Sequence, residues 1–210
     1  YSLATYGNNL YAGQAQRGLY LSTDNGNTWS SINNNSIYQL ASSIVLDDTN
    51  LITGTNGVGT YLSTDDGNTW NESFNGMKCN MVRTFLIDGN NIFAGVSIFG
   101  PTVYLSTDHG NTWNPSNNGI GNLPVSSLVK LGNNIFAGTG SGGVFMSTNK
   151  GASWTSVNNS ITNLTIHELL VDGSNLFAAA DSGYVYFSNN NGTSWSLANN
   201  GLPILHITSL

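Results

Sequence analysis

The octapeptide STDNGNTW at Ser22–Trp29 decides the fold, because the chain repeats it with small changes four more times. The further copies are STDDGNTW at Ser63–Trp70, STDHGNTW at Ser106–Trp113, STNKGASW at Ser147–Trp154 and SNNNGTSW at Ser188–Trp195. Their tryptophans, at positions 29, 70, 113, 154 and 195, are 41, 43, 41 and 41 residues apart. A fixed period of this size indicates five copies of one supersecondary unit.

Each period contains alternating apolar runs separated by turns rich in Gly and Asn, which is the pattern of short β-strands. In the third repeat we expect strands at Val82–Ile87, Ile92–Ser97 and Thr102–Ser106, followed by an outer strand from Thr112. Four strands in a period of 41 to 43 residues fit one blade of a propeller. The sequence therefore predicts an all-β, five-bladed β-propeller with four antiparallel strands per blade, formed by residues 1–210 as a single domain.

The composition excludes several classes of function. Only 8% of residues are charged, Lys and Arg number 5, and the net charge is −6, so we expect no basic surface for a nucleic acid. No apolar run approaches the roughly 20 residues that a membrane-spanning helix needs, so we expect no membrane insertion. His109, His167 and His206 are not spaced as metal ligands on one strand, and no phosphate-binding loop is present. Neither a metal nor a cofactor is predicted.

The pattern Ser-x-Asp-x-Gly-x-Thr/Ser-Trp resembles the Asp-box, or BNR repeat, of bacterial sialidases and related propellers, and its five copies cover the whole chain. The resemblance implies that each box is a structural turn between the third and fourth strands of a blade. Its acidic residue would accept hydrogen bonds within the turn, and its tryptophan would pack between sheets. The box residues are Asp24, Asp65, Asp108, Asn149 and Asn190, with Trp29, Trp70, Trp113, Trp154 and Trp195. Asparagine in the last two copies keeps an acceptor but loses the charge, as a structural role permits and a catalytic role would not.

Positions at which the repeats differ are candidates for function. The residues thirteen positions after each tryptophan are Ser42, Arg83, Ser126, His167 and Thr208, and Glu168 belongs to the next row, which otherwise carries only Ser or Thr. By resemblance to sialidase-like propellers, the inner strands line a central channel. We therefore consider Arg83, His167 and Glu168 candidate ligand-binding residues at the channel mouth. The alternative is that residues beside a hydrated channel are simply free to be polar.

A second variable region is the loop between the second and third strands, which is two residues longer in the third repeat. Ile98 and Phe99 lie in this loop, where exposed residues are expected. These two apolar side chains form either a contact surface for another molecule or a plug that folds over the edge of the blade.

An enzyme is not predicted. By family resemblance, a sialidase needs three arginines to bind the substrate carboxylate, and this chain contains only Arg17 and Arg83. A glycoside hydrolase needs two carboxylates about 5 to 10 Å apart, and Glu168 and Asp181 are a conceivable pair. Hydrolysis is therefore a third alternative, behind two non-catalytic functions.

The first non-catalytic function is an extracellular structural or interaction module that assembles with itself into oligomers or filaments. Its basis is that Thr208–Leu210 corresponds in the repeat to Tyr1–Leu3, and the two segments cannot occupy the same strand position in a closed ring. One chain end could therefore pair with a neighbouring subunit by strand addition. The second function is a lectin that binds extracellular glycans through aromatic and amide side chains, with avidity from five similar grooves. Low charge and abundant Asn and Thr favour an extracellular or cell-surface location, in a bacterium by resemblance.

Overall fold

The computed structural model describes residues 2–14, 17–33, 41–48, 50–78, 81–97, 100–202 and 207. Within these ranges the chain forms twenty strands and one three-residue 3-10 turn at Asp181–Gly183. The strands make five antiparallel sheets of four strands each, and in every sheet the strand order follows the chain. The predicted all-β class and the five units of four antiparallel strands are thus confirmed. We call each sheet a blade and number the blades 1 to 5.

The chain divides into two compact units, which we describe separately. The first contains Tyr1–Ile98 and Tyr104–Pro115, and the second contains Phe99–Val103 and Ser116–Leu210. Blades 1, 2 and 3 belong to the first unit, apart from Val103, and blades 4 and 5 belong to the second.

The strands of the first three blades are listed here in chain order. Blade 1 contains β1 (Ser2–Tyr6), β2 (Asn9–Gln14), β3 (Gly18–Ser22) and β4 (Ser30–Ser31). Blade 2 contains β5 (Ala41–Asp47), β6 (Asn50–Thr55), β7 (Thr60–Ser63) and β8 (Asn71–Glu72). Blade 3 contains β9 (Val82–Asp88), β10 (Asn91–Val96), β11 (Val103–Ser106) and β12 (Asn114–Pro115).

The two remaining blades follow the same plan. Blade 4 contains β13 (Val125–Leu131), β14 (Asn134–Thr139), β15 (Gly143–Ser147) and β16 (Thr155–Ser156). Blade 5 contains β17 (Ile166–Asp172), β18 (Asn175–Ala180), β19 (Tyr184–Ser188) and β20 (Ser196–Leu197).

The observed strands of blade 3 agree with the predicted plan except at the outer strand. A left-handed Gly89, with φ of 61°, makes the tight turn between β9 and β10. The outer strand begins at Asn114 rather than at Thr112, because the backbone N–H and hydroxyl of Thr112 both donate to Asp108. Thr112 therefore belongs to the octapeptide turn and not to the sheet.

The apolar core lies between neighbouring blades. Side chains of blades 1 and 2 share one cluster, and those of blades 2 and 3 share a second. In the second unit, side chains of blades 4 and 5 share another. Strands β6, β10 and β14 are buried at all but their first residue, so side chains on both faces of these strands are covered. Within the described residues, the structure contains no helix with the length and hydrophobicity to cross a membrane.

Candidate functional site

Each octapeptide closes a turn with its own side chains. In the third copy, the Ser106 hydroxyl donates to Asp108 Oδ1 at 2.8 Å and accepts the Gly110 N–H at 2.9 Å. Asp108 Oδ1 accepts the Thr112 N–H at 2.9 Å, and Asp108 Oδ2 accepts the Thr112 hydroxyl at 2.7 Å. Both carboxylate oxygens therefore bind groups of their own turn, which is a structural use of the acid.

The fourth and fifth copies keep this geometry with an amide. Asn149 Oδ1 accepts the Ser153 N–H at 2.9 Å, and Asn149 Nδ2 donates to the Ser153 hydroxyl at 2.8 Å. Asn190 makes the same pair of bonds to Ser194. The amide donates where the carboxylate accepts, and the hydroxyl reverses its role, so the turn tolerates loss of the charge.

Hydrogen bonding within the turn also lowers acid pKa values. Bonds from the Thr28 hydroxyl, the Thr28 N–H and the Ser22 hydroxyl lower the pKa of Asp24 to about 2. The corresponding bonds from Thr69 lower the pKa of Asp65. The charged carboxylate is the form that these donors stabilise.

We expect the Asp24 contribution to stability to depend on acid pH. Its folded pKa lies below the unfolded value, so the contribution is fully present above the unfolded pKa of about 3.9 and is lost as pH falls through about 2. Carboxyl NMR titration of the folded chain tests this, and Asp24→Asn should remove the signal and flatten the acid dependence of the urea midpoint. An Asp24 carboxyl that titrates near 3.9 would contradict the assignment.

One octapeptide turn is also tied to the neighbouring blade. His109 Nδ1 lies 2.6 Å from Oδ2 of Asp47, the buried last residue of β5. The hydrogen bond to Asp47 raises the pKa of His109, and the charge of Asp47 adds to the effect. This pair links the turn of blade 3 to the inner strand of blade 2.

The variable positions thirteen residues after each tryptophan share one feature of the backbone. In blades 2, 3, 4 and 5 they hold the unpaired residues of register shifts between the first and second strands, namely Ser42, Arg83, Ser126 and His167. A bulge residue is released from the strict alternation of side chains across the sheet. The variation predicted as functional therefore coincides with a repeated β-bulge.

Two of these bulge residues join blades. The Ser42 hydroxyl donates to the carbonyl of Val82 at 2.5 Å, and the Ser126 hydroxyl donates to the carbonyl of Ile166 at 2.6 Å. Each acceptor belongs to the first strand of the next blade. In blades 2 and 4 the predicted hydroxyl row is therefore used for inter-blade hydrogen bonds.

The other two bulge residues, Arg83 and His167, bind within their own blades instead. Arg83 Nε donates to the Ser97 hydroxyl at 3.1 Å in blade 3. In blade 5, His167 Nε2 lies 2.5 Å from Asp181 Oδ1, in the 3-10 turn that follows β18. Asp181, considered as a partner of Glu168 in catalysis, is thus paired with His167. Arg83 belongs to the first unit and the His167–Asp181 pair to the second.

Several predicted features lie outside the described residues. Ile98 and Phe99, the candidate contact loop, are among them, as are Tyr1 and Thr208–Leu210, on which the strand-addition argument rested. In the part of the chain that the structure describes, no three His, Cys, Asp or Glu side chains are grouped as metal ligands.

The tryptophans form the main joint between blades. Four of them are buried and donate Nε1–H to a backbone carbonyl 38 to 40 residues earlier, within the previous repeat. The pairs are Trp70 with Ile32 at 3.2 Å, Trp113 with Ser73 at 2.7 Å, Trp154 with Ser116 at 2.7 Å, and Trp195 with Val157 at 2.8 Å. The residue two before each octapeptide is a Tyr or Phe, and it is buried in the same four blades, as Tyr61, Tyr104, Phe145 and Tyr186.

Blade 1 carries the same aromatic pair but leaves it open. Trp29 is 40% exposed and donates Nε1–H to Gly26 of its own turn at 3.1 Å, and Tyr20 is half-buried. The two rings line a groove of about 520 Å³. Its other side chains include Ser2, Leu3, Gln14 and Arg17. We take this groove as the candidate site, because it combines aromatic faces with polar donors.

Sequence reasoning did not identify this groove. The octapeptide and its tyrosine recur almost unchanged in blade 1, so residue type does not distinguish Trp29 from the other tryptophans. One signal was available in the loop between β2 and β3, because Arg17 is one of only two arginines in the chain.

Comparison with known proteins agrees with this architecture. Residues 81–210, more than half of the chain, match the DUF6242 beta propeller domain. No curated protein sequence matches the chain.

Solved structures show the same fold at low sequence identity. The protein YCF48 bound to D1 peptide is similar with a TM-score of 0.73 and 17% identity, over 96% of this chain and 68% of that chain. The GH74 enzyme of Niastella koreensis has a TM-score of 0.75 and 20% identity, over 90% of this chain and 36% of that chain. The GH74 xyloglucanase of Xanthomonas campestris has a TM-score of 0.72 and 16% identity, with the same coverages of 90% and 36%. The chain thus spans about a third of these GH74 enzymes, and likeness at such identities concerns the fold alone.

Proposed function

The chain belongs to the DUF6242 beta-propeller domain family, and from this premise we propose that it is a non-catalytic, extracellular interaction module whose contact surface is the groove of blade 1. The observation that carries the proposal is the exposure of Trp29 in this groove. Every other tryptophan of the repeat is buried. An exposed aromatic pair in a concave surface is typical of a recognition site.

The chemistry of the groove supports binding rather than hydrolysis. Its lining residues, all within the described part of blade 1, include no Asp or Glu. Glycoside hydrolysis needs two carboxylates on either side of the reacting bond. The acids of the five-fold motif are used inside their own turns, and this use supports our assignment of those turns as Asp-boxes of the BNR type.

A glycan is a second candidate partner, favoured by one observation. The aromatic residues Tyr20 and Trp29 line the groove together with Gln14 and Arg17. Sugars stack their apolar faces on aromatic rings while their hydroxyls bind amide and guanidinium donors. A lectin function would therefore use the same groove as a protein contact.

The exposure of Trp29 also provides the test. Because the other four tryptophans are buried, acrylamide should quench the fluorescence of Trp29 selectively. We expect Trp29 to become protected from acrylamide in at least one of two titrations, one with rising protein concentration and one with soluble xyloglucan. No new reducing ends should form in the xyloglucan titration.

Trp29→Phe should abolish the quenchable component and serves as the assignment control. Leu197→Ser is the matched surface control, since Leu197 is exposed on blade 5 and does not line the groove. Release of reducing ends from xyloglucan would overturn the non-catalytic proposal. Full quenching of Trp29 in both titrations would overturn the groove as the contact surface.

A further inference from the structure

His109 and Asp47 connect two blades at a position where a charge is buried. His109 lies at the tip of the octapeptide turn of blade 3, where its backbone is left-handed with φ of 58°. Asp47 ends β5 of blade 2, and its side chain is only 7% exposed. His109 Nδ1 lies 2.6 Å from Asp47 Oδ2, although the two residues are 62 positions apart. A buried carboxylate of one blade therefore contacts an ionisable group of the next.

The protonation state of the ring decides how well this carboxylate is compensated. A protonated imidazole supplies both an N–H donor and a positive charge to Asp47. A neutral ring supplies at most the N–H, and only in the tautomer that carries hydrogen on Nδ1. Because a buried charge without a counter-charge is unfavourable, loss of the proton weakens the contact between blades 2 and 3.

The other charged groups that act on His109 are carboxylates as well. Asp48 directly follows β5, and Asp108 precedes His109 in the octapeptide turn. The hydrogen bond to Asp47 has the largest effect, and the three carboxylates together raise the pKa of His109 against a smaller opposing effect of desolvation. The protonated ring is therefore the form that the folded chain favours.

The direction of the pH effect follows from this shift. A histidine whose pKa is higher in the folded chain contributes stability that is fully present below the unfolded pKa of about 6.5. The contribution is lost as pH rises through the folded pKa, which lies above that value. The contact between His109 and Asp47 is thus strongest in mildly acidic solution and weakest in alkaline solution.

The pair belongs to the same joint as Trp113, which follows His109 by four residues. Trp113 Nε1–H donates to the carbonyl of Ser73 at 2.7 Å, and the backbone N–H of Trp113 donates to the carbonyl of Asn75 at 2.9 Å. Both acceptors belong to the preceding repeat. Hydrogen exchange at Trp113 therefore reports local opening of the joint between blades 2 and 3.

We propose that His109 and Asp47 form a pH-sensitive latch on the joint between blades 2 and 3, closed when His109 is protonated and weakened when the ring is neutral. The joint that buries Trp195 carries Leu131 and Asn191 at the corresponding positions of the repeat, and neither side chain titrates. That joint is an internal reference for the effect of pH on the blades in general.

Hydrogen exchange of the tryptophan indoles, followed by NMR on the full chain, tests the latch. We expect the exchange rate of Trp113 Nε1–H, divided by that of Trp195 Nε1–H, to rise severalfold between about pH 6 and about pH 9. Taking the ratio at each pH removes the intrinsic acceleration of exchange by base. In the same samples the imidazole of His109 should titrate above 6.5.

Two substitutions separate the charge from the turn. His109→Lys and His109→Asn introduce residues that the turns of blades 4 and 5 already carry at this position, as Lys150 and Asn191, each with φ of 54°. Lysine keeps its charge to about pH 10, so the ratio should stay low across the whole range. With asparagine the ratio should be independent of pH and as high as the alkaline value of the wild type.

His167→Asn is the matched control, since His167 bonds to Asp181 within blade 5 and should leave the wild-type dependence intact. A dependence that disappears in His167→Asn would place the effect in blade 5 and overturn the latch. Equal responses of Trp113 and Trp195 to pH, or an unchanged response in His109→Asn, would also overturn it. So would an imidazole of His109 that titrates at or below 6.5.

Discussion

Replacing Trp113 with alanine should lower the free energy of unfolding by about 3 to 5 kcal/mol, the cost of deleting a large buried aromatic side chain. Trp113 is 1% exposed and lies 6.1 Å from the Phe85 ring, centroid to centroid. Its Nε1–H donates to the carbonyl of Ser73 in the preceding repeat, so truncation also leaves a buried acceptor without this donor. Urea unfolding of the full chain measures the difference.

The repeat supplies its own control for this prediction. Trp29→Ala removes the same residue from the same motif, but Trp29 is open to solvent and bonds only within its turn in the described contacts. We expect a loss of about 1 kcal/mol or less. Equal losses for Trp29→Ala and Trp113→Ala would show that the octapeptide turn, and not the joint between blades, is the source of the stabilisation.

The second large effect is expected at a glycine that permits close packing. A Cβ at Gly54 would lie 2.6 Å from Val82 Cβ and 2.6 Å from Ser43 Oγ. The first strand of blade 3 therefore approaches the second strand of blade 2 at a position that has no room for a methyl group. Gly54→Ala should cost about 1 to 3 kcal/mol, the usual penalty for overpacking a core.

Gly13→Ala is the matched control, since Gly13 occupies the same position in blade 1. Its nearest neighbour to an added Cβ would be Ile44 Cδ1 at 3.4 Å, an ordinary contact. We expect a change within about 0.5 kcal/mol. If thermal and urea unfolding gave the same loss for both variants, the close approach at Val82 would not be the cause.

Much of the fold could be predicted from the sequence because its signals are local. The octapeptide turn depends on Ser106, Asp108 and Thr112, which lie within seven residues of one another and bond to one another. Hairpin glycines such as Gly89 mark the tight turns, and apolar alternation marks the strands between them. These features repeat with the period of the chain, so each copy supports the interpretation of the others.

The candidate site could not be predicted, because the exposure of a tryptophan depends on which other residues pack against it and not on its own residue type. Trp29 and Trp113 have nearly identical sequence surroundings, yet one is exposed and the other is buried. The hydroxyls of Ser42 and Ser126 suggested a polar channel, whereas they donate to carbonyls of the next blade. His167 was considered beside Glu168, and its bond to Asp181 depends on the bulge that precedes Glu168. These pairings join residues 14 or 40 positions apart, and periodicity alone does not specify them.

The joint in which a buried tryptophan of one repeat bonds to the backbone of the previous repeat has a consequence for how this chain could have grown. Tyr104 and Trp113 of blade 3 are buried in one cluster with Met77 of the preceding repeat, and Val45 of blade 2 packs against that cluster. Duplication or loss of one whole period of 41 residues would therefore add or remove one complete joint between blades. Blade number can then change during evolution without a new kind of contact between blades.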